Sequence, residues 1–302
     1  MHNDRRKNVP APPITTALLL AAGTGSRLYP VTENMPKCLT EVNGIPILGR
    51  LVSSLARKGF KRLVIVTGHM EQCIREFLGS QSSGMTIEYL FCPQYKTTNN
   101  IYSLWKAREI IQEPFLLVES DLVFDASLLD NMVYPDRIAV ARMQPWMNGT
   151  TVTINKSKQV EAFHKGEEFP SDEIRYKTVN IYSFSQASWS LIKDRLDQYI
   201  CAGKVHDYYE TVFTEMVTEG SLGFDSVSFD GKYWYEIDTL EDLEKAEKLF
   251  SAKKPVVVVS RKAKMRISEK IIKPLSGHKA KIIDAVKDKT IANIKALPWQ
   301  TV

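Results

Sequence analysis

The chain has 302 residues, 44% hydrophobic and 25% charged, with a net charge of +5. That length buries a full core in one large domain or two small ones, and the composition is that of an ordinary globular protein. No apolar run approaches the roughly 18 residues of a membrane span, which excludes a spanning helix. The charge is unevenly placed. Residues 252–302 carry 13 Lys and Arg against 3 Asp and Glu, so the positive balance belongs to that tail and says nothing about the body. Residues 1–13 hold Arg5, Arg6 and Lys7 with three prolines and no apolar run behind them. They are expected as a disordered lead and not as a signal peptide. Cys38, Cys73, Cys92 and Cys201 lack metal-like spacing, as free thiols in a reducing cytoplasm would.

Ala17–Ala22 is a short apolar run bounded by glycine, which predicts a buried strand. It opens into Gly23-Thr24-Gly25, where glycines let backbone N–H groups turn inward toward an anion. Arg27 adds a fixed charge, and Pro30 and Pro36 stiffen the return that ends at Lys37. The pattern predicts a triphosphate cradle. A Rossmann fingerprint would need a third glycine where Leu28 stands, and a Walker loop would need Gly-Lys-Ser/Thr where Gly25-Ser26-Arg27 stands. A helix follows Pro46 with Leu48, Leu51, Val52 and Leu55 on one face, and Gly59 ends it. Arg62–Thr67 is predicted as a second buried strand, with Gly68-His69 at its carboxyl end, where ligands bind in such sheets. A helix near Glu71–Leu78 and a strand at Met85–Phe91 come next.

Thr98 or Asn99 is predicted to cap a helix with Leu104, Ala107 and Ile111 facing inward. Asn99 and Asn100 also offer the donors and acceptors that reading a nucleobase or ribose requires. Strand Pro114–Val118 ends in Glu119-Ser120-Asp121. Asp121 suits a hard cation if this strand neighbours the first, and a helix cap for Ala126–Met132 otherwise. The alternation of β-strands and helices predicts an α/β fold with a mainly parallel sheet. The second half changes character. Arg137–Met143, Thr150–Ile154, Gln159–Phe163 and Lys177–Phe184 have hairpin-like spacing and predict a smaller antiparallel lid layer. Alternation in the last of these puts Thr178, Asn180 and Tyr182 on one face toward a pocket. Helices at Ala187–Ala202 and Asp207–Thr218 and a strand at Leu222–Phe229 follow. Glu236 and Asp238 then share one strand face, where two carboxylates call for a cation; Asp238 is equally placed to cap a helix whose buried side is Leu240, Leu243, Ala246 and Leu249.

Four blocks now stand in order: the glycine loop with Lys37, Asn99-Asn100-x-x-Ser103-Leu104, Asp121 after its strand, and Tyr235-Glu236-Ile237-Asp238. Together they resemble the bacterial CTP:phosphocholine and 2-aminoethylphosphonate cytidylyltransferases, relatives of the sugar-nucleotide pyrophosphorylases. The resemblance covers about Thr15–Phe250. It implies a Rossmann-like mixed sheet over a transferase domain at residues 14–251, a CTP substrate, and Mg2+ held by Asp121 and Asp238. Lys37 and Arg27 become the expected catalytic cations. Nucleotide contacts are implied for Leu20, Ala22, Gly23, Thr24 and Gly25, for Gly68, for Thr98, Asn99, Asn100 and Ser103, and for Glu119 and Ser120.

The expected acceptor is a small zwitterionic phosphate or phosphonate, contacted by Asn180, Asp207, Tyr208, Tyr209 and Glu236. A quaternary ammonium favours an aromatic cage, for which Trp146, Trp189, Tyr208, Tyr209, Tyr233 and Trp234 are available, whereas a primary amine would rather meet Asp207 or Glu210. A sugar-1-phosphate transferase using UTP or dTTP and a non-catalytic nucleotide sensor are the competing expectations. The tail at 252–302 has apolar residues near helical spacing among lysines. It is expected as a helix that packs on the body, on a second copy in a homodimer, or on an anionic membrane surface. A cytoplasmic setting with no nucleic-acid partner is expected.

Overall fold

The computed structural model describes residues 12–145, 147–166 and 174–251. Strand β1, Thr16–Ala21, is buried at every position, as a continuous apolar run must be when both faces of a parallel sheet are covered. A hairpin of β2 (Glu41–Val42) and β3 (Ile45–Pro46) leads into helix α1 (Ile47–Arg57). The βα alternation continues through β4 (Arg62–Thr67), α2 (Glu71–Leu78), β5 (Gln81–Ser82), β6 (Met85–Phe91) and α3 (Asn100–Ala107). β7 (Phe115–Glu119) and β8 (Leu122–Phe124) follow. The second half holds β9 (Arg137–Arg142), β10 (Thr151–Ile154), β11 (Val160–His164) and β12 (Tyr176–Phe184), then α4 (Gln186–Cys201) and α5 (Tyr209–Thr218). β13 (Asp225–Ser228), β14 (Trp234–Glu236) and α6 (Leu240–Leu249) end the described chain.

Parallel β7, β1, β4 and β6 lie side by side at the centre. β12 pairs antiparallel with β7 and carries β9, β10 and β11 beyond it. The mixed, mainly parallel sheet is therefore present, and the antiparallel strands extend it at one edge. Two small antiparallel sheets, β2 with β3 and β14 with β8, stand apart from it. Because β1 lies between β4 and β7, the loops after all three emerge together at the carboxyl ends of the strands. Leu20 is in register with Glu119, and Ala21 with Thr67.

One expected face does not form. β12 changes register against β9 between Thr178 and Tyr182, and Asn180 takes a φ of 56°. The four steps from Thr178 to Tyr182 face only two on β9, from Val140 to Ile138, so the strand bulges around Asn180. Tyr182 lies in the core and not on a pocket face, fully buried and edge-on to Tyr209 at 5.9 Å and Phe213 at 5.3 Å. Such ring pairs contribute about 0.5–1.5 kcal/mol beyond their buried area. Residues 126–131 form a 3-10 helix capped by Asp125, so Asp121 is not its cap. Likewise α6 is capped by Thr239, not Asp238. Among the described residues no helix is long and apolar enough to cross a membrane. The expectations for residues 1–11, for Trp146 and for the tail from Ala252 lie outside the described residues.

Candidate active site

After β1 the chain turns through Gly25, whose φ of 65° is in the left-handed region. A Cβ at Gly25 would stand 2.9 Å from Lys37 Cβ and 3.2 Å from Thr32 Cγ2. Glycine is needed there for two reasons, its backbone angle and the lysine packed against it. Thr32 Oγ1 donates to Gly25 O at 2.9 Å and ties the two halves of the loop together.

Lys37 is the centre of the charge arrangement. Its Nζ lies 2.7 Å from Asp121 Oδ2 and 2.6 Å from Asp238 Oδ1. The three side chains are only 14%, 17% and 21% exposed. Burial opposes the charge on Lys37, but Asp121 and then Asp238 outweigh it, so its pKa stands raised above the ordinary lysine value. Arg27 Nη2 reaches the same Asp238 oxygen at 2.8 Å, from a side chain 70% exposed; that exposed pair adds little stability by itself. The two aspartates meet because β14 pairs with β8, setting Glu236 opposite Leu122. Ile237 N then donates to Asp121 O at 3.0 Å. Asp242 fixes the following turn by accepting from the backbone N–H groups of Asp238 and Thr239 at 3.2 Å and 2.9 Å.

A cavity of about 290 Å3 runs from this cluster along the carboxyl ends of the strands. Leu20, Ala22, Gly23, Gly25 and Arg27 line it from the first loop, with Lys37, Asp121 and Asp238. Thr98, Asn99, Asn100, Ser103, Glu119 and Ser120 form its other walls. Asn99 and Asn100 are less free than their sequence suggested. Asn99 Oδ1 accepts from Asn100 N at 2.8 Å as the N-cap of α3, and its Nδ2 donates to His206 O at 3.3 Å. Asn100 Oδ1 accepts from Tyr209 N at 3.0 Å, and its Nδ2 donates to Glu119 Oε1 at 3.3 Å. The pair therefore fastens α3 to the start of α5 and lines the cavity at once. Burial pushes the Glu119 carboxyl well above its usual range, and the nearby charges of Asp121 and Glu210 push it the same way.

Thr24 and Gly68 do not line this cavity. Gly68 acts behind the wall. A Cβ there would stand 2.7 Å from Ala22 O and 2.7 Å from both Cβ and Cγ of Tyr95. Tyr95 does line the cavity, and the sequence patterns missed it, because only the tertiary approach to Gly68 marks it. Gly68→Ala is expected to cost about 1–3 kcal/mol of stability by overpacking and to weaken nucleotide binding by moving Tyr95. Thermal melting and calorimetry check this; a variant unchanged in both would show that the contact relaxes freely.

A second, larger cavity of about 1110 Å3 shares Arg27, Asp238 and Tyr208 with the first. Asn180, Glu236, Glu210 and Lys177 line it. Asp207 lines neither cavity, and Tyr209 is fully buried among the core rings. Trp189 is also a core ring, its Nε1 donating to Ile111 O at 3.0 Å. Both oxygens of Glu236 are engaged: Asn180 Nδ2 donates to Oε1 at 3.2 Å, and Lys177 Nζ lies 3.3 Å from Oε2. Burial raises the Glu236 pKa, and Lys177 pulls against that rise. Lys177 is 4% exposed. Its only sequence signal was a lysine inside a strand that is otherwise largely uncharged.

The donor set fits a hard cation. Asp121 Oδ1 is buried without a hydrogen-bond partner among the described residues, while its other oxygen and Asp238 converge on one ammonium. Mg2+ is commonly held by one or two carboxylates, completed by waters and substrate phosphates. Asp121 and Asp238 are the residues that would hold it.

Comparisons with known proteins bear on the family and the fold. A model described as nucleotidyl transferase matches residues 16–253. The chain is 31% identical over 269 residues to the CMP-5'-(3-aminopropyl)phosphonate synthase of Streptomyces rubellomurinus, covering 83% of this chain and 41% of that protein. It therefore spans less than half of that relative's length. It is also 31% identical over 180 residues to the UTP--glucose-1-phosphate uridylyltransferase AglF of Haloferax volcanii, covering 57% of this chain and 72% of that one. The solved structure of CTP:phosphocholine cytidylyltransferase from Streptococcus pneumoniae superposes with a TM-score of 0.67 at 21% identity, over 79% of this chain and all of that one. That likeness speaks to the fold alone. A family match that begins at the first residue of β1 and runs just past α6 takes in every described strand and helix, and by it the chain belongs to the nucleotidyl transferase family.

Proposed function

We propose that this protein moves CMP from CTP onto a phosphate or phosphonate oxygen of a small zwitterionic acceptor, such as phosphocholine or 2-aminoethylphosphonate, and releases pyrophosphate. The observation that carries this is the contact of Lys37 Nζ with both Asp121 and Asp238. Asp238 borders both cavities. A group bound in either one therefore reaches the same charged junction. The name of the Streptomyces relative, which makes a CMP-phosphonate, supports CTP and a phosphonate over a sugar phosphate.

The chemistry asks little of a general base. A phosphate monoester has its second pKa near 6, so the attacking oxygen is largely ionised at neutral pH. The harder task is to bring two polyanions together in line and to stabilise the leaving pyrophosphate. Lys37 stands where the attacking group and the α-phosphate meet, and neutralises both. Arg27 and the N–H groups of the Gly23–Gly25 loop hold the β- and γ-phosphates. Asp121 and Asp238 would hold Mg2+, which when bound would supply positive charge to the phosphate oxygens.

The test is a panel of CTP, UTP, dTTP and ATP against phosphocholine, phosphoethanolamine, 2-aminoethylphosphonate and glucose-1-phosphate, following pyrophosphate with Mg2+ present. Turnover is expected with CTP and the amino-alcohol acceptors. Turnover confined to UTP or dTTP with the sugar phosphate would make this a sugar nucleotidyltransferase. Binding of CTP without pyrophosphate under any condition would make it a sensor.

A further inference from the structure

One buried carboxylate on the larger cavity has an oxygen that no donor among the described residues meets. Glu210 is 6% exposed, and its Oε2 is buried with no hydrogen-bond partner among the described residues. It sits in the first turn of α5, where the helix N-terminus favours a negative charge. It lines the cavity alongside Glu236, Lys177 and Tyr208. Glu236 differs in that both of its oxygens already have partners, Asn180 and Lys177. The two lysines whose charge reaches Glu210, Lys177 and Lys165, bond elsewhere: Lys177 Nζ donates to Thr178 O at 2.9 Å, and Lys165 Nζ to Thr211.

A buried acceptor atom without a donor is costly. An acceptor whose phosphate end lay at Arg27 and Asp238, which line this cavity, would have room to extend its other end into it. A primary ammonium brings three N–H donors. A trimethylammonium brings none, and is held instead by several aromatic faces. Among the described residues Tyr208 is the one ring lining the cavity. Trp189 and Tyr209 are committed to the core, and Trp234 lines a different recess of about 110 Å3 beside Glu236.

We propose that Glu210 is the specificity-determining anchor of the acceptor, and that the acceptor it selects carries a primary ammonium in place of a quaternary one. This rests on CMP transfer from CTP. The experiment uses the full chain with CTP and Mg2+ and a series of 2-aminoethyl phosphates bearing zero, one, two or three N-methyl groups. For the unaltered protein, kcat/KM is expected to fall as N–H donors are lost, with at least about a tenfold gap between the ends of the series, the scale of a charge-assisted hydrogen bond. Glu210→Gln is expected to raise KM for the primary amine about tenfold or more, to leave KM for CTP within twofold, and to erase most of the gap. Glu210→Asp should restore part of it. The methyl series on the unaltered protein stands even where a variant folds poorly, which thermal melting reveals. Equal or better use of the trimethyl compound overturns the proposal while CMP transfer survives. So does a Glu210→Gln protein, folded, that keeps the full gap. Absence of pyrophosphate with every acceptor overturns CMP transfer, and this proposal with it.

Discussion

Lys37→Ala is expected to lower kcat about a hundredfold to a thousandfold, the loss that follows removal of one preorganised group from a developing charge. The lysine contacts both acids at the junction of the cavities, and among the described residues no other lysine lines the smaller cavity. Its removal also has a structural consequence. Asp121 and Asp238, largely shielded from solvent, are left with like charges and one cation fewer; breaking a buried pair by deleting one partner costs up to about 3–5 kcal/mol. Exposed Arg27 remains on Asp238 and offsets a part of this. The variant should therefore melt lower than the unaltered protein in EDTA and regain much of the difference in millimolar Mg2+, which takes the place of the missing positive charge. Turnover at saturating CTP, with melting curves in both conditions, measures the two effects separately. Activity within tenfold of the unaltered protein would remove Lys37 from the chemistry.

Gly25→Ala is expected to disable the same lysine from the other side. The left-handed backbone at Gly25 costs an alanine about 1–2 kcal/mol. The added methyl group would meet Lys37 Cβ at 2.9 Å, inside any ordinary contact. Lys37 must then move from the point where both carboxylates reach it. A drop of about tenfold to a hundredfold in kcat is the expected result, since small misplacements of a positioning group reach that size. Gly23→Ala is the contrast. Nothing lies within 4 Å of a Cβ there, so its melting midpoint should hold, while KM for CTP rises if the loop backbone closes on phosphate. Equal melting midpoints and equal kinetics for the two variants would show that the loop does not hold Lys37 in place.

Much of this arrangement was legible in local pattern. The strand–glycine–lysine stretch at residues 17–37, the carboxylate after β7, and the Glu236-x-Asp238 pair each announce themselves within one element. Strand and helix periodicity also located the helices and the longer strands, because the period of apolar residues is a property of the chain alone, but it missed the two- and three-residue strands β2, β3, β5 and β8. Asn99 shows the limit. Its place at a helix start was readable, yet its amide goes to His206 O, more than 100 residues away.

What the sequence by itself determined is therefore the kind of fold and the inventory of charged groups that a triphosphate and a cation would need. The tertiary structure decided which of those groups meet. Lys37 and Asp238 are 201 residues apart, and the pairing of β14 with β8 is what sets Asp238 beside Asp121, the lysine's other partner. The bulge in β12 decided that Asn180 bonds Glu236 while Tyr182 enters the core. The same folding left Glu210 as a buried carboxylate with an unmet oxygen. The physical reason is that periodicity fixes which face of an element a side chain takes. Hydrogen bonds and ion pairs depend on distances of about 3 Å between elements, and no spacing along one element encodes those.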